Sequence, residues 1–318
     1  MRIMKWLVGT IVLVAICLLA VIQFRWKRTF EAPTPDLKAT SDSAIIEHGR
    51  YLVYAAAGCA YCHLPKADWA RLEAGEQPPL SGNHVFPLPF GELHSPNLTP
   101  DATTGIGRRS DGEIARILRH GVRPDHRAAF PFMEFQHLSD ADVVALLSFL
   151  RSQPPVANEV PDMKYNLMGK ALMSFAIAPT SAASPPPAES PVGPSVERGE
   201  YLANHVSSCV ACHTNRGNTG EFVGPHFAGG QEMDIEDDPG HVYVTPNLTP
   251  DPTTGYIYSW SEEDFLTRFR KGRIRPVALM PWGAFSRMTD DDLRSIYRYL
   301  RSLPPAVNVV GAIYREKK

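Results

Sequence analysis

The sequence has little net charge, few cysteines and only one long hydrophobic run. Its 318 residues carry 32 Lys and Arg against 34 Asp and Glu, a formal charge of −2, which gives no strong positive field for binding nucleic acid. Hydrophobic residues make up 44% and charged residues 21%, so the chain is neither wholly disordered nor a multi-span membrane protein. No segment alternates apolar and polar residues for long, and proline (29) outnumbers glycine (23), so an extensive β-sheet is not expected.

The long apolar run occupies residues 6–24, with Arg2 and Lys5 before it and further basic residues after it. About 19 apolar residues span a bilayer core as a helix, so we expect residues 1–28 to be an uncleaved membrane anchor, followed by a stalk at 29–42. The alternative is a cleaved signal peptide, but the run lacks an Ala-x-Ala cleavage pattern. More basic residues follow the run than precede it, so the positive-inside rule slightly favours a cytoplasmic location for the rest of the chain.

The remainder of the chain consists of two copies of one sequence repeat. Both copies contain Gly-x-Tyr-Leu, Cys-x-x-Cys-His, Pro-Asn-Leu-Thr-Pro-Asp and Leu-Arg-Ser-x-Pro-Pro in the same order, beginning at Gly49 and Gly199. This period is too long for a solenoid and predicts two homologous domains in tandem, residues 43–160 and 195–312. Residues 161–194 are expected to form a linker with a possible helix and a Pro-rich stretch.

Each copy is predicted to consist of short helices joined by long loops. Starts that resemble capping boxes occur twice in each copy, with the N-cap at Ser110, Ser139, Ser261 and Thr289. Apolar residues follow at helical spacing, Gly121 and Gly272 occupy positions typical of C-terminal caps, and a double proline ends the last helix of each copy. The expected fold class is therefore all-α, with two domains behind one transmembrane helix.

Each copy also carries the attachment pattern of c-type haem, at Cys59–His63 and Cys209–His213. Two thiols one helical turn apart reach the two vinyl groups on one porphyrin edge, and the histidine that follows reaches the iron. We therefore predict two covalently bound haem c groups. Thioether attachment is assigned to Cys59, Cys62, Cys209 and Cys212, and proximal iron ligation to His63 and His213.

Two other kinds of site use a Cys-x-x-Cys pair. A redox dithiol of the thioredoxin type needs a βαβ context, which the sequence does not predict. A four-cysteine zinc site would require the two motifs to meet in space, and it would leave both histidines unexplained. We favour haem. Because covalent c-type attachment resembles what takes place on the outer face of the bacterial cytoplasmic membrane, we expect both domains on the periplasmic side, despite the charges that flank the apolar run.

A methionine on the second face of a haem suits electron transfer, because it occupies the sixth coordination position of the iron and raises its reduction potential. Met133 and Met280 lie at matching positions, each in a loop with proline and aromatic residues before the last helix, and we predict both as distal ligands. The two loops differ in length by three residues. One rival is Met288, which aligns with Leu138 as a core residue. The other rivals, expected to be loop and surface residues, are His126, His137, His226 and His241.

Together these motifs resemble class I-type cytochrome c domains over nearly all of residues 44–310. The Asn-Leu-Thr-Pro-Asp segment is similar to that of the multi-haem cytochrome c subunits of membrane-bound alcohol and sugar-acid dehydrogenases. Trp260 matches a tryptophan common in that group, whereas Arg109 stands at the equivalent position of the first copy. The larger members of the group have a third haem motif, which this sequence lacks.

The resemblance implies an electron-transfer protein rather than an enzyme. We expect a membrane-anchored di-haem cytochrome that passes single electrons between a periplasmic dehydrogenase, or another donor protein, and a respiratory-chain acceptor. The alternative is a di-haem enzyme, a peroxidase or a thiol-oxidising dehydrogenase, with one open haem. The matched methionines favour the carrier, because such an enzyme needs an open or displaceable sixth position.

Overall fold

The computed structural model describes residues 2–217, 220–275 and 279–317. Its first element, α1 (Arg2–Arg25), is a 24-residue helix with one buried side chain, that of Ile22. The helix is long and apolar enough to cross a membrane, and no other helix within the described parts of the chain is. These features are compatible with the predicted anchor, and a signal sequence would share them.

Short helices and small strands make up both copies of the repeat. The first copy and the segment after it contain α2 (Ser43–Tyr51), α3 (Cys59–His63), α4 (Trp69–Glu73), β1 (Val85–Leu88), β2 (Gly91–His94), α5 (Asp111–His120), α6 (Asp140–Ser152), β3 (Lys164–Tyr165) and α7 (Leu167–Phe175). The second copy contains α8 (Val196–Tyr201), α9 (Cys209–His213), β4 (Glu232–Asp234), β5 (His241–Val244), α10 (Glu262–Arg270), α11 (Trp282–Phe285), α12 (Asp290–Ser302) and β6 (Tyr314–Glu316).

The predicted helix boundaries are confirmed. The side chain of each predicted N-cap residue accepts a hydrogen bond from the backbone N–H three residues later, at 3.2 Å or less: Ser110, Ser139, Ser261 and Thr289. Gly121 and Gly272 adopt φ angles of 59° and 58°, the left-handed conformation that ends a helix. These boundaries depend on interactions within a few residues, which is why the sequence alone identified them.

The first and last helices of each copy cross at a glycine. A Cβ atom on Gly49 would lie 1.9 Å from the backbone oxygen of Ala145, and one on Gly199 would lie 1.9 Å from that of Ser295. Only a residue without a side chain lets α2 approach α6, and α8 approach α12, this closely. Buried aliphatic side chains surround the crossings and form the core, among them Leu52, Leu147, Leu202 and Leu293.

Two small antiparallel sheets are present, so the all-α prediction is incomplete. Their strand orders are β1-β2-β3 and β4-β5-β6. Val85 pairs with His94 in the first, and Met233 pairs with Tyr243 in the second. Each strand has only two to four residues, which is too short to show the alternation that identifies a strand in a sequence. The third strand of each sheet comes from the chain after the last helix of its copy.

The two copies contact each other through a reciprocal pair of hydrogen bonds. The Tyr51 hydroxyl donates to Asp292 Oδ2 at 2.6 Å, and the Tyr201 hydroxyl donates to Asp142 Oδ2 at 2.5 Å. Tyr201 lies 150 positions after Tyr51, and Asp292 lies 150 positions after Asp142. Each copy therefore gives and receives the same bond, and the contact is approximately two-fold symmetric.

The second hydrogen-bond partner of each aspartate differs between the copies. His48 Nε2 lies 2.6 Å from Asp142 Oδ1, whereas Arg198 Nε donates to Asp292 Oδ1 at 2.8 Å. Burial alone would raise the pKa of Asp142, but hydrogen bonds from His48 and Tyr201 outweigh it and hold the pKa below its usual range. The Asp142 carboxylate is therefore ionised at neutral pH and strengthens the bond between the copies.

Gly199→Ala should lower the free energy of unfolding by about 1–3 kcal/mol, the usual cost of overpacking a core. The reason is that α8 and α12 must separate to admit a methyl group. Thermal or denaturant unfolding of the purified protein measures the change. Gly240→Ala is the matched control, because a Cβ atom there meets no other atom within 4 Å. Equal stability of the two variants would contradict the close crossing.

Candidate functional site

Each Cys-x-x-Cys-His segment is one turn of α-helix that follows a π-helical turn. The π-helical turns comprise Leu52–Ala56 and Leu202–Val206, and they continue directly from α2 and α8. Immediately before the first cysteine of each motif, Gly58 and Ser208 adopt left-handed φ angles of 62° and 49°. The chain therefore changes direction before α3 and α9, and both cysteines and the histidine project from a short separate helix.

None of the four motif cysteines, all of which the structure describes, forms a disulfide. Cys59 and Cys209 are partly buried, whereas Cys62 and Cys212 are exposed. Burial raises the pKa of Cys59 and of Cys209 to about 12, and the second thiol of the same motif adds to the effect. A redox dithiol needs a thiolate, so these raised pKa values do not favour that alternative. Across residues 2–217, 220–275 and 279–317, no three His, Cys, Asp or Glu side chains are arranged to hold a metal ion.

The motif histidines make the same hydrogen bond in both copies. His63 Nδ1 lies 3.2 Å from the carbonyl oxygen of Pro96, and His213 Nδ1 lies 3.2 Å from that of Pro246. Burial lowers the pKa of each histidine to about 4, and the hydrogen bond to the carbonyl opposes this shift only in part. Both imidazoles are therefore neutral at pH 7. When Nδ1–H donates to the carbonyl, Nε2 keeps a lone pair that can bind a metal ion.

The repeated Pro-Asn-Leu-Thr-Pro-Asp segment holds these carbonyls in place. Asn97 Nδ2 donates to the Val156 carbonyl at 2.8 Å, and Asn97 Oδ1 accepts from the Thr99 N–H at 2.9 Å. The equivalent bonds of Asn247 have the same lengths. Each segment thus joins the motif histidine to the chain that leaves the last helix. This repeat is visible in the sequence, but the role of its first proline is not. The available signal was that the proline follows the motif histidine by 33 positions in each copy.

Met133, the predicted distal ligand of the first copy, is partly buried in the loop between α5 and α6. Aromatic side chains pack around this loop. The Phe130 ring stacks on that of Phe90 with centroids 4.9 Å apart, and it lies 4.7 Å from that of Phe132. The loop is therefore attached to the β1–β2 hairpin by ring contacts.

Met280, the corresponding prediction in the second copy, lies just before α11 and packs in part against the core. The Trp282 ring meets that of Phe269 edge-on at 5.4 Å, and the Arg268 guanidinium lies 3.5 Å from the Trp282 ring centroid. Both methionines thus lie in loops with proline and aromatic residues, as the sequence predicted. Ala278, two positions before Met280 in the sequence, lies outside the described residues.

The rival ligands occupy other environments. Met288 and Leu138 are each 1% exposed, which confirms both as core residues. His126 and His226 lie in loops, as expected. His241 instead begins strand β5, so its assignment to a loop was wrong.

The Met133 loop also contacts the second copy, near that copy's Cys-x-x-Cys-His segment. The Glu134 carboxylate lies 3.4 Å from Arg216 Nη2, three residues after His213. The ring centroid of His137 lies 4.8 Å from that of His205. His137 therefore belongs to the contact between the copies rather than to a free surface.

The two copies differ at the position of Trp260. The Trp260 carbonyl accepts a hydrogen bond from the Tyr297 hydroxyl in α12 at 2.6 Å. The Arg109 carbonyl likewise accepts a bond from Arg151 in α6 at 2.5 Å, while the Arg109 side chain pairs with Glu113 at 3.6 Å. The backbone positions are equivalent, so an aromatic ring in one copy is replaced by a charge in the other.

One buried cation was not identified from the sequence. Arg116 is 6% exposed, its Nη2 donates to the Arg123 carbonyl at 3.2 Å, and its Nε has no hydrogen-bond partner among the described residues. Arg123 lies in the loop that carries Met133. The repeat gave no signal for this residue, because the matching position in the second copy is Thr267.

Comparisons with known proteins agree with the motifs. Residues 194–300 match a family model described as cytochrome c oxidase, cbb3-type, subunit III. The chain is 32% identical over 292 residues to the alcohol dehydrogenase (quinone) cytochrome c subunit of Gluconacetobacter polyoxogenes, covering 86% of this chain and 58% of that protein. It is 31% identical over 294 residues to the gluconate 2-dehydrogenase cytochrome c subunit of Pantoea cypripedii, covering 83% and 60%. A diheme cytochrome c-type protein of Cereibacter sphaeroides is 29% identical over 269 residues, with 79% and 84% covered.

Over most of its length this chain is similar to the cytochrome c subunits of dehydrogenases. Its residues 194–300 form a cytochrome c domain, which indicates haem c as the cofactor. The chain spans a little over half the length of the alcohol and gluconate dehydrogenase subunits that it matches. The resemblance inferred from the motifs is thereby confirmed.

Asn247→Ala should lower the free energy of unfolding by about 1–3 kcal/mol, because it leaves the Ala306 carbonyl and the Thr249 N–H buried without this partner. Denaturant unfolding measures the loss. Asn215→Ala is the control, since the exposed side chain of Asn215 accepts a hydrogen bond from the neighbouring Arg216 N–H. If both substitutions cost the same, the segment does not hold the site as described.

Proposed function

We propose that this protein is a membrane-anchored di-haem c-type cytochrome. It passes single electrons from a periplasmic dehydrogenase, or another donor protein, to an acceptor of the respiratory chain. Residues 43–160 and 195–312 each form a cytochrome c domain that holds one haem, residues 1–28 anchor the chain, and 29–42 and 161–194 serve as stalk and linker. The domains lie on the periplasmic side of a bacterial cytoplasmic membrane.

The observation that carries this proposal is the matched setting of the two motif histidines. His63 is buried and His213 is half-buried, both imidazoles are neutral, and both have Nδ1 3.2 Å from a proline carbonyl. An axial histidine must be neutral and must present its other nitrogen to the iron in a fixed orientation. Because the same setting occurs in both copies, we assign one haem to each.

The remaining residues fit covalent haem c. Haem c, when bound, supplies an iron that alternates between the ferrous and ferric states. The buried guanidinium of Arg116, with its unused Nε–H, suits a haem carboxylate. Thioether attachment is proposed for the four motif cysteines, Cys59, Cys62, Cys209 and Cys212.

Met133 and Met280 are the proposed distal ligands. A thioether raises the potential of a haem and leaves no open position, which suits electron transfer rather than substrate binding. Ring contacts hold aromatic residues beside each methionine, Phe132 beside Met133 and Trp282 beside Met280. A methionine held in this way would move little between the two oxidation states of the iron, so little reorganisation would oppose electron transfer.

The proposed partners follow from the relatives. These are named as cytochrome subunits of alcohol, gluconate and fructose dehydrogenases, which supports a dehydrogenase catalytic subunit as the electron donor. The exposed apolar helix α1 supports attachment to the membrane. Anchoring would confine the haem domains to the membrane surface, where they would contact the donor and acceptor proteins.

We expect two covalently bound haems per polypeptide by pyridine haemochrome analysis, and an oxidised protein with the near-infrared band of His–Met ligation. Met280→Ala should remove about half of that band and lower the potential of one haem, because the thioether ligand is lost. A redox titration with spectra recorded at each step measures both effects.

Met288→Leu is the matched control for this experiment, because Met288 is a buried core residue and the substitution keeps its volume. Fewer than two covalent haems, or an unchanged spectrum in Met280→Ala, would contradict the assignment. A high-spin haem that reacts rapidly with peroxide would favour the di-haem enzyme instead.

A further inference from the structure

Helix α7, which lies between the two copies in the sequence, exposes an apolar face. Leu167, Met168, Ala171, Leu172 and Phe175 share one side of this helix. Leu167, Met168 and Phe175 are 57%, 49% and 53% exposed. A contiguous apolar face is unfavourable in water and marks a contact with another apolar phase.

The opposite side of α7 is held by the last turn of α1. Oγ of the buried Ser174 lies 3.3 Å from the Ile22 carbonyl oxygen, and Arg25 Nε donates to the Ser174 carbonyl at 2.9 Å. Arg28 Nη2 donates to the Ile177 carbonyl at 2.7 Å. Two arginines thus satisfy carbonyl groups at the C-terminal end of α7, a favourable place for positive charge. These bonds fix α7 beside the end of α1.

Basic side chains and an amphipathic ring surround this junction. Lys170 Nζ lies 3.2 Å from Gln23 Oε1 and 5.2 Å from the Trp26 ring centroid. Lys27 Nζ lies 4.9 Å from the same ring. Tryptophan and basic residues are enriched where a protein leaves a bilayer, because the ring suits the headgroup region and the charges attract anionic lipid.

We propose that α7 lies in the membrane interface, with its apolar face against the acyl chains and its basic neighbours among anionic headgroups. The inference rests on the proposed function only in that α1 spans the membrane. Because α7 is bonded to the last turn of α1, a bilayer crossed by α1 would also reach α7. An interfacial helix places its apolar face about 5–10 Å deep. Such seating would prevent the haem domains from turning freely about the anchor.

The test uses spin labels on the full-length holoprotein in vesicles of equal parts phosphatidylethanolamine and phosphatidylglycerol. In a Cys17→Ser background, single cysteines are introduced by Phe175→Cys in α7 and Val12→Cys in α1. Val307→Cys is the matched control, because Val307 is an exposed apolar residue far along the chain from α1 and α7. Power-saturation EPR compares the access of each label to oxygen, which concentrates in lipid, and to a water-soluble nickel chelate.

We expect the Phe175 label to resemble the Val12 label, with more access to oxygen than to the nickel chelate, and the Val307 label to show the reverse. A Phe175 label that is water-exposed while the Val12 label lies in lipid would overturn this inference and leave the anchor intact. If both labels are water-exposed, the anchor itself is wrong. Met168→Cys provides a second position on the same face if Phe175→Cys does not fold.

A separate observation concerns the contact between the copies beside Met280. A Cβ atom on Gly283 in α11 would lie 2.6 Å from Glu73 Oε2 and 2.7 Å from the Tyr61 hydroxyl, both in the first copy. Tyr61 lies between the two motif cysteines of that copy, and its hydroxyl donates to the Glu73 carboxylate. The segment that follows Met280 therefore packs on the cysteine motif of the other copy.

Arginines on both sides of Met280 bind the same acidic residue. Arg273 Nη2 donates to Glu73 Oε1 at 2.8 Å, and Arg287 Nη2 donates to the Glu73 backbone carbonyl at 3.0 Å. Arg273 precedes Met280 and Arg287 follows it, so both ends of the loop are bound to one residue of the first copy.

We infer that Glu73 is a positioning residue for Met280, so that methionine ligation in the second copy depends on the first. The inference rests on the proposed function, which makes Met280 an axial ligand. The pair of Glu134 with Arg216 is the corresponding contact of the Met133 loop, with the acidic residue in the loop and the basic residue in the other copy. Each ligand loop is thus held by a residue that follows the cysteine motif of the other copy.

Imidazole titration of the oxidised holoprotein tests this role, because imidazole competes with a methionine ligand. Glu73→Gln should let imidazole displace Met280 at about tenfold lower concentration, since a charge-assisted bond that holds the loop is weakened. The titration phase that disappears in Met280→Ala identifies this haem. Glu76→Gln is the matched control, because it makes the same change in charge at an exposed pair with Arg71.

Equal imidazole sensitivity of Glu73→Gln and Glu76→Gln would overturn the inference, as would a change confined to the other haem. Arg273→Gln removes the guanidinium that binds Glu73, and it replaces Glu73→Gln in this test if that variant does not fold. If Met280→Ala removes no titration phase, the ligand assignment fails and this inference with it.

Discussion

A hydrogen bond between each motif histidine and a proline carbonyl joins parts of the chain that are distant in the sequence. In the first copy it connects His63, at the end of a single helical turn, to Pro96 in the Pro-Asn-Leu-Thr-Pro-Asp segment. Asn97 then connects that segment to the chain that leaves α6. Because the imidazole is buried, its orientation depends on this carbonyl. A shift of the last helix would therefore change the orientation of the imidazole at the proposed iron site.

The second copy repeats this network with the same distances, but its surroundings differ. Trp260 replaces the charged Arg109, and Arg198 replaces His48 as the partner of the aspartate at the contact between the copies. Polarity and hydrogen bonding around a haem tune its potential. Two copies with one framework and different polar surroundings would therefore give the proposed haems different potentials, which a carrier between unlike partners can use.

The proposed function also needs control over orientation, because electron transfer depends on which edge of each domain faces its partner. The reciprocal bonds of Tyr51 and Tyr201 join the two copies into one unit. The bonds from Arg25 and Arg28 to the end of α7 join that unit to the helix proposed as its anchor. Together these contacts limit the motion of the two copies relative to α1.

The sequence by itself determined the features that depend on neighbours within a few residues. These are the spacing of Cys59–His63 and its repeat, the helix caps such as Ser110, and the apolar length of α1. Gly49 was visible as part of a repeat, but its role was not, because the Ala145 carbonyl that it must admit lies in another helix. The distal ligands Met133 and Met280 remain predictions.

Only the tertiary structure decided which distant segments meet. The strands β3 and β6 are too short to show a period, and their pairing depends on where the last helix of each copy directs the chain. Tyr51 and Asp292 meet across 241 positions, and α7 packs on α1 rather than on either copy's core helices. Periodicity records which face of an element is apolar, but the partner of that face is selected by the shape and charge of surfaces that exist only once the chain has folded.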